Sequence, residues 1–209
     1  MTDETRVSGI DAVVFDIGGV LLDWSPNYLY DELIADPAQR AWFLTEVTTP
    51  AWNLQQDAGR PWAEAVAELT ARYPEHAEWI SAYDEHWLRM VGGLIDGTVA
   101  LHEELRAAGV PTYALTNFSA EKWEVATRTF EELRRFDGVV VSGVEQVTKP
   151  DEKLYRILID RYDLDPARTF YTDDVQHNVD AARAVGLHAE LFTDAPTLRA
   201  HLTRHGLPL

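Results

Sequence analysis

The chain has 209 residues, 46% of them hydrophobic, which is enough for one full core or for one core with a small appended domain. It carries 18 Lys and Arg residues against 35 Asp and Glu residues, and the formal net charge of −17 excludes a surface that attracts nucleic acid or anionic membrane. The absence of cysteine excludes disulfides, zinc–thiolate sites and thiol nucleophiles.

The N-terminal segment, MTDETRVSGIDAVVFDIGG, is acidic and contains only a short apolar run. A secretory signal needs a basic start and a longer apolar stretch. The sequence also has no run of about 18 apolar residues that could span a membrane. Together with the lack of cysteine, these features predict a cytoplasmic protein that binds neither membrane nor nucleic acid.

Short apolar runs alternate with longer helical patterns along most of the chain. The runs are rich in β-branched or aromatic residues and too short for buried helices, so they predict strands. The predicted strands are residues 12–15, 112–115, 138–141, 169–171 and 189–192. The predicted helices among them are residues 99–108, 120–133, 152–162, 178–185 and 196–205. This alternation predicts an α/β fold, a Rossmann-like parallel sheet with helices on both faces.

The segment from Pro26 to Ile95 interrupts the alternation, because it contains helical patterns and no convincing strand. These patterns cover residues 27–34, 38–47, 62–72 and 75–90. Five of the seven tryptophans lie in it, and such residues are more often core than substrate contacts: Trp42, Trp52, Trp62, Trp79 and Trp87. We therefore predict a small helical cap domain over residues 25–95, inserted into a core domain of residues 1–24 and 96–209. The glycines of its return connection, Gly92, Gly93 and Gly97, are candidate hinge residues.

Reactive side chains follow the predicted strands. In open parallel sheets, ligands bind beyond the carboxyl ends of the strands. In chain order, these positions hold Asp16, Thr116 with Asn117, Lys149, and Asp173 with Asp174. Each alone has a structural explanation, since an Asp often bonds its own loop and a Thr-Asn pair often precedes a helix.

The combination predicts phosphoryl-transfer chemistry, which needs a nucleophile, donors for the phosphoryl oxygens and a cation. The strand ends supply a carboxylate, a hydroxyl, an ammonium group and an acidic pair. A carboxylate cannot approach a phosphate dianion unless charge is neutralised. Magnesium prefers one or two carboxylates with water and phosphate, so the pattern predicts Mg²⁺ as the cofactor.

Four motifs in this order resemble those of the haloacid dehalogenase superfamily: VVFDIGGVL, YALTN, the TKP that ends at Pro150, and FYTDDVQHNVDAARAVG. The resemblance covers the chain from about Asp11 to Phe192. The helical insertion after the first motif is similar to the four-helix cap of one subclass. The resemblance implies a Mg²⁺-dependent phosphatase that hydrolyses a small phosphate monoester, a sugar phosphate being favoured, through an aspartyl-phosphate intermediate.

The resemblance also implies residue roles. Asp16 is similar to the nucleophile. Thr116 and Lys149 would hold the phosphoryl group as catalytic and substrate-binding residues, and Asn117 would contact phosphate or substrate.

The metal would be bound by Asp16, the backbone carbonyl of Gly18 and Asp174. Asp173 would act as a second acidic ligand or as an outer-shell partner. Asn178 stands where many relatives carry another acid, and its amide could orient a metal-bound water.

One position departs from the family pattern. Many phosphatases of the family carry a second Asp two residues after the nucleophile, as general acid for the leaving group, and here that residue is Gly18. General acid–base catalysis contributes about 10²–10⁴ in rate, so another donor or a good leaving group, such as an anomeric phosphate, is expected. Asp23 and His177 are candidate donors.

Three alternatives remain open. A 2-haloacid dehalogenase would use the same Asp16 on carbon without a metal, although Asp173 and Asp174 would then repel the halocarboxylate. A phosphoacceptor protein gathers similar residues but places the acidic pair first in the chain. A non-catalytic interaction module would keep the fold alone.

Substrate contacts in the cap are harder to assign from the sequence. The candidates are polar or stacking side chains: Trp52, Gln55, Gln56, Arg60 and His86. The expected partner is a small-molecule phosphate ester, and the protein is expected to be a monomer or a homodimer.

Overall fold

A computed structural model describes residues 9–209 of the chain. The strands, in chain order, are β1 (Ala12–Phe15), β2 (Leu22–Trp24), β3 (Val91–Leu94), β4 (Thr112–Thr116), β5 (Gly138–Val141), β6 (Thr169–Asp173) and β7 (His188–Leu191). Five of them form a parallel sheet in the order β5-β4-β1-β6-β7. The predicted α/β fold with a parallel sheet is confirmed, and each predicted strand is present to within two residues.

The α-helices of the core are α6 (Asp96–Ala107), α7 (Ala120–Thr129), α8 (Ser142–Glu145), α9 (Glu152–Tyr162), α10 (Gln176–Ala184) and α11 (Ala195–Arg204). Those of the insertion are α1 (Pro26–Leu33), α2 (Pro37–Trp42), α3 (Pro50–Asp57), α4 (Trp62–Arg72) and α5 (Ala77–Glu85). The predicted helix over residues 120–133 ends earlier, at Thr129, and a 3₁₀ turn follows it (Glu131–Arg134).

The sheet separates two apolar cores, because successive side chains of a strand point to opposite faces. In β1, Val13 and Phe15 join a core with Leu101 of α6 and Leu198 of α11. The intervening Val14 joins the second core, whose other members include side chains of α9 and α10. Helices therefore cover both faces of the sheet, as the alternating pattern predicted.

The insertion leaves and re-enters the core through a two-stranded antiparallel sheet of β2 and β3. The prediction that no strand lies between Pro26 and Ile95 is therefore wrong at Val91–Leu94. Its sequence, VGGL, carries a weak strand signal because glycine has low β propensity, and the pairing with β2 decides its conformation. Gly92 and Gly93, two of the proposed hinge glycines, lie within this strand.

The helices of the insertion differ in detail from the predicted ones. Helix α3 was not predicted, although Thr49 caps it by accepting from Trp52 N–H and Pro50 occupies its first position. The predicted helix over residues 38–47 continues beyond α2 as a π-helical segment (Phe43–Val47). The predicted helix over residues 75–90 is α5 with a 3₁₀ turn on either side.

Aromatic side chains fill the interior of the insertion. Trp62 stacks on Tyr83 with ring centroids 5.6 Å apart, and Trp52 packs edge-on against both rings. The reading of the tryptophans as core residues holds for these and for Trp87, whereas Trp42 is 39% exposed. No helix in residues 9–209 has the length and hydrophobicity that a membrane-spanning helix requires.

Candidate active site at the strand ends

The carboxyl ends of β1, β4 and β6 bring three predicted site residues together. Asp16 directly follows β1, Thr116 ends β4 and Asp173 ends β6. Because β1 lies between β4 and β6 in the sheet, Asp16 is flanked by the other two. Its backbone N–H donates to the carbonyl of Thr172 at 2.9 Å, which holds the residue in line with the neighbouring strand.

Lys149 reaches this edge from the loop that precedes α9. Its backbone pairs with the side-chain amide of Asn117, which accepts from Lys149 N–H at 2.8 Å and donates to its carbonyl at 3.1 Å. The ammonium group lies 2.9 Å from Asp16 Oδ1 and 2.7 Å from Asp173 Oδ2. The side-chain oxygen and nitrogen of Asn117, which was predicted to contact phosphate or substrate, therefore both bind the backbone of Lys149 and position that residue.

Asp173 is the most heavily hydrogen-bonded group of the site. Its Oδ1 accepts from Val175 N–H at 2.8 Å and from Asn178 Nδ2 at 3.0 Å, and its Oδ2 accepts from Lys149 and from the Tyr171 hydroxyl. Burial alone would raise the pKa of Asp173, but Lys149 and these hydrogen bonds lower it overall. Because hydrogen bonds and Lys149 already occupy both oxygens of Asp173, this residue fits the role of a partner that supports the metal site better than that of a direct metal ligand. Asn178 likewise binds Asp173.

Asp16 is buried, and the negative charges of Asp173 and Asp174 act on its carboxyl group. Burial raises the pKa of Asp16 to about 8; Asp173 and Asp174 add to the rise, whereas Lys149 opposes it. Burial alone would lower the pKa of Lys149, but Asp16 and Asp173 raise it overall, so the ammonium form persists. The local charge is therefore incompletely balanced by Lys149, and a second cation beside Asp16 would stabilise its ionised form.

Asp174 lies at the exposed rim, against the loop after β1. A Cβ placed on Gly19, whose φ is +72°, would lie only 2.3 Å from Asp174 Oδ2, so the glycine makes room for this carboxylate. Partial burial and the charge of Asp173 raise the pKa of Asp174. Carboxylate oxygens of Asp16, Asp173 and Asp174 lie within 4.8 Å of one another, a spacing that could hold a metal ion.

The donor set fits magnesium. The ion is hard and takes oxygen ligands, and Asp16 and Asp174 offer carboxylate oxygens on either side of the Gly18–Gly19 turn. Thr116 adds a second observation, because its Oγ1 is buried and has no hydrogen-bond partner among the described residues. A buried hydroxyl without a partner is costly, and a phosphoryl oxygen beside Asp16 would satisfy it.

A cavity of about 80 Å³ opens between the insertion and the core, next to Gly18. We call it the interface pocket. Its apolar lining consists of Leu22, Trp24, Trp62, Trp87 and Phe118. Its polar lining consists of Asn53, Asp57, Asn117, Ser119 and Lys122. Because Gly18 and Asn117 belong to the strand-end loops, the pocket adjoins the loops that carry Asp16 and Thr116.

Hydrogen bonds hold the insertion over this pocket. Trp62 Nε1 donates to Ser119 Oγ at 2.9 Å, and the backbone N–H of Trp62 donates to Glu121 Oε1 at 3.0 Å. Lys122 Nζ forms an ion pair with Asp84 and also donates to its carbonyl at 2.9 Å. These contacts join α4 and α5 to the start of α7.

The residues of the insertion that the sequence suggested as substrate contacts do not line the interface pocket. Trp52 and Gln56 are buried inside the insertion, where Gln56 Nε2 donates to the Trp52 carbonyl. Gln55 pairs with Arg60 at 2.9 Å, and His86 is exposed on another face. Asn53 and Asp57, which do line it, lie on the unpredicted helix α3. The Thr49-Pro50 cap was the signal that could have revealed that helix.

The two candidate proton donors from the sequence also lie elsewhere. Asp23 points away from the pocket that its strand neighbours Leu22 and Trp24 line, and it accepts a hydrogen bond from the Tyr28 hydroxyl at 2.7 Å. His177 is exposed near the start of α10 and does not line the interface pocket.

The chain is similar to known proteins over most of its length. A model of the haloacid dehalogenase-like hydrolase family matches residues 10–186. The sesquiterpene phosphatase astK of Aspergillus oryzae is 27% identical over 187 residues, 88% of this chain and 90% of that protein.

Two solved structures share the fold. One is a HAD family enzyme from Bacteroides thetaiotaomicron in complex with magnesium and inorganic phosphate (TM-score 0.69, 21% identity, 89% of this chain and 96% of that one). The other is L-2-haloacid dehalogenase from Xanthobacter autotrophicus with chloropropionic acid covalently bound (TM-score 0.63, 18% identity, 96% of this chain and 85% of that one).

Proposed function

The chain belongs to the haloacid dehalogenase-like hydrolase family, and from this premise we propose that it is a magnesium-dependent phosphatase that hydrolyses a small phosphate monoester through an aspartyl-phosphate on Asp16. The observation that carries the proposal is the cluster of Asp16, Asp173 and Asp174 carboxylates, of which Asp16 and Asp173 pair with the ammonium group of Lys149. Such an excess of negative charge suits a site that takes up a divalent cation together with phosphate.

Each side chain of the site has its own role in the two half-reactions. Asp16 attacks phosphorus, and the bond to the alcohol oxygen breaks. Lys149 and the unpartnered hydroxyl of Thr116 stabilise the charge on the phosphoryl oxygens. Water then hydrolyses the acyl phosphate and frees Asp16. Asp173 keeps Lys149 directed at this position through their 2.7 Å contact.

Magnesium would be held by Asp16, Asp174 and the carbonyl of Gly18. When bound, it supplies positive charge that lets two anions approach each other. The relative structure that contains magnesium and phosphate supports the same cofactor and partner class for this chain.

We also propose that residues 25–95 act as a cap domain on a core of residues 1–24 and 96–209. Hydrogen bonds from Trp62 to Ser119 and from Lys122 to Asp84 hold the insertion above the strand ends. A cap in this place would shield the acyl phosphate from uncontrolled hydrolysis and select the alcohol. A cytoplasmic location and a monomeric or homodimeric state stay predictions.

Two classes of alcohol are candidates. The motif resemblance favours a sugar phosphate. The lining of the interface pocket by Leu22, Trp24, Trp62, Trp87 and Phe118 instead favours an apolar alcohol, and so does the likeness to a sesquiterpene phosphatase. A phosphate panel that contains both classes separates them by kcat/KM.

The main alternative is a 2-haloacid dehalogenase, which shares the fold and the nucleophile. The site disfavours it because the carboxylates of Asp173 and Asp174 would repel a halocarboxylate substrate. The more remote alternatives are a non-catalytic protein and a phosphoacceptor that does not turn over.

The test is a panel of phosphate esters assayed with and without Mg²⁺, beside a halide-release assay on 2-haloacids. We expect Mg²⁺-dependent phosphate release, no halide release, and loss of turnover in Asp16→Asn with retention of the fold. Asp174→Ala should raise the half-saturating Mg²⁺ concentration and lower activity together. Wild-type rates in Asp16→Asn, or halide release without metal, would refute the proposal.

A further inference from the structure

Departure of an alcohol from phosphorus leaves negative charge on its oxygen, and a positioned acid normally supplies a proton there. The position two residues after the nucleophile is Gly18, which has no side chain to do so. A Cβ built on Gly18 meets no atom within 4 Å, so the space beside it is open. Gly18 is also part of the wall of the interface pocket, and a proton donor for the alcohol must therefore reach the same pocket.

Asp57 is the carboxyl group that lines this pocket. It is the last residue of α3, and Asn53, one helical turn earlier, lines the pocket beside it. The insertion thus brings an acid to the wall of the same pocket that Gly18 and Asn117 line from the strand-end loops. The pocket is therefore the space in which Asp57 would meet an alcohol oxygen that leaves phosphorus.

The structure holds Asp57 in a fixed orientation. Its Oδ2 accepts from Asn53 Nδ2 at 2.9 Å, and the nearby backbone N–H of Ser119 opposes the rise in the pKa of Asp57. The Ser142 hydroxyl donates to the Asp57 carbonyl at 2.5 Å. These groups come from its own helix, from the residue before α7 and from the start of α8, so they hold the end of α3 against the core. Such rigid support is what a catalytic acid requires.

The surroundings favour a protonated Asp57 near neutral pH. Burial raises the pKa of Asp57 to about 7, against the opposing effects of the Ser119 N–H and Lys149. Its position at the carboxyl end of a helix also disfavours a negative charge. The other ionisable groups that face it are Tyr83 of α5, whose own pKa rises partly because of Asp57, and Lys122 of α7, which is paired with Asp84.

We propose that Asp57 is the proton donor to the leaving alcohol and then the proton acceptor for the attacking water. This inference rests on the phosphatase function proposed above. In the first step, Asp16 bonds to phosphorus, the electron pair of the broken P–O bond goes to the alcohol oxygen, and that oxygen takes the Asp57 proton. In the second step, the Asp57 carboxylate takes a proton from a water molecule while the oxygen of that water attacks phosphorus. The bond between phosphorus and Asp16 breaks, and its electron pair stays on the released Asp16 carboxylate.

The competing explanation is that Asp57 only fastens the insertion to the core. The hydrogen bond from the Ser142 hydroxyl to the Asp57 carbonyl makes that role real, so loss of activity in a variant is insufficient by itself. A fastening role affects all substrates equally, because it changes how the site is assembled. A proton donor matters in proportion to the basicity of the leaving oxygen.

The experiment compares Asp57→Asn with the wild type on two esters in Mg²⁺, an alkyl phosphate with a basic leaving group and 4-nitrophenyl phosphate with a weakly basic one. Asparagine has nearly the same shape and keeps an oxygen that can accept a hydrogen bond from Asn53 Nδ2. We expect kcat/KM for the alkyl ester to fall by about 10²–10⁴-fold and that for the nitrophenyl ester by less than about tenfold. Asn53→Ala, which removes a supporting hydrogen bond but keeps the acid, should retain the wild-type ratio between the two esters.

A second readout does not depend on the variant being folded. In the wild type, kcat/KM for the alkyl ester should decline above about pH 7, whereas the nitrophenyl ester should show a much weaker decline. Equal losses on both esters in Asp57→Asn, or identical pH profiles in the wild type, would overturn the role of Asp57 alone. A wild type that releases phosphate from neither ester would overturn the proposed function as well.

Discussion

Lys149→Met tests whether one ammonium group holds the strand-end carboxylates together. Methionine keeps most of the apolar stem and removes the charge that lies 2.9 Å from Asp16 Oδ1 and 2.7 Å from Asp173 Oδ2. All three side chains are buried, with at most 10% exposure. The substitution therefore leaves two carboxylates in a poorly solvated site without their counter-ion.

The expected loss follows from the distances. At an effective dielectric constant near 20, two charges 2.7 Å apart attract by about 6 kcal/mol, and the desolvation of Lys149 offsets part of this. Breaking one buried ion pair costs about 3–5 kcal/mol in free energy of unfolding. Asp16 can take up a proton, since burial already raises its pKa to about 8, and Asp173 keeps its other donors. We therefore expect a loss near the lower end, about 3 kcal/mol at pH 8.

The loss should shrink in acid. Without Lys149, the pKa values of Asp16 and Asp173 in the folded protein rise, so the folded state binds more protons than the unfolded chain above about pH 4. The destabilisation therefore grows as the pH increases and is smaller at pH 5.5 than at pH 8.

Urea unfolding followed by tryptophan fluorescence, in Mg²⁺-free buffer at both pH values, measures the difference. The matched control is Lys153→Met, because Lys153 is exposed on α9 and its loss should change the free energy of unfolding by less than about 0.5 kcal/mol. Equal urea midpoints for Lys149→Met and the wild type at pH 8, with equal m-values, would refute the reasoning, and so would a loss that grows toward acid.

Two further predictions concern the loop after β1 and the buried histidine. Gly19→Ala should raise the half-saturating Mg²⁺ concentration, because the new Cβ displaces the Asp174 carboxylate. The control is Gly109→Ala, which has a similar φ of +76° and no atom within 4 Å of the new Cβ, and which should add only about 1–2 kcal/mol of backbone strain. His102 stacks on Phe136, and burial lowers the pKa of His102 from 6.5 to about 4. Between these two pH values the imidazole is protonated in the unfolded chain and neutral in the folded protein. The free energy of unfolding should fall by up to roughly 3 kcal/mol as the pH drops from 6.5 to 4, and His102→Gln should flatten this acid limb in urea titrations.

The strongest local patterns were predicted well. The strands over residues 12–15 and 138–141 and the helix over residues 152–162 have the same bounds in sequence and structure. In each of these segments, the hydrophobic periodicity and the flanking residues favour the same secondary structure, and the tertiary contacts favour it too. By contrast, Val91–Leu94 is a strand because β2 pairs with it, and no pattern within VGGL expresses that pairing.

The candidate site was predictable in part for the same reason. Asp16, Thr116, Asp173 and Asp174 each follow a recognisable strand, and a parallel sheet brings its carboxyl ends to one edge. Their approach to within 4.8 Å is present for the three acids, while their catalytic roles stay predictions. The resemblance already favoured Asp174 as a metal ligand but left two roles open for Asp173. The sequence could not choose between them, because the choice depends on which of two adjacent side chains turns toward Lys149.

The sequence by itself determined the α/β order, the acidic charge and the set of reactive groups at the strand ends, because each is carried by residues close together in the chain. Only the tertiary structure decided that Asp57 lines a pocket next to Gly18, that Trp62 donates a hydrogen bond to Ser119 and that the substrate contacts proposed within the insertion lie away from this pocket. The hydrogen bonds from Trp62 to Ser119 and from Ser142 to Asp57 join residues that are 57 and 85 positions apart in the chain. Local propensity contains no information about such contacts, and so it could not reveal which carboxyl group the insertion brings to the pocket.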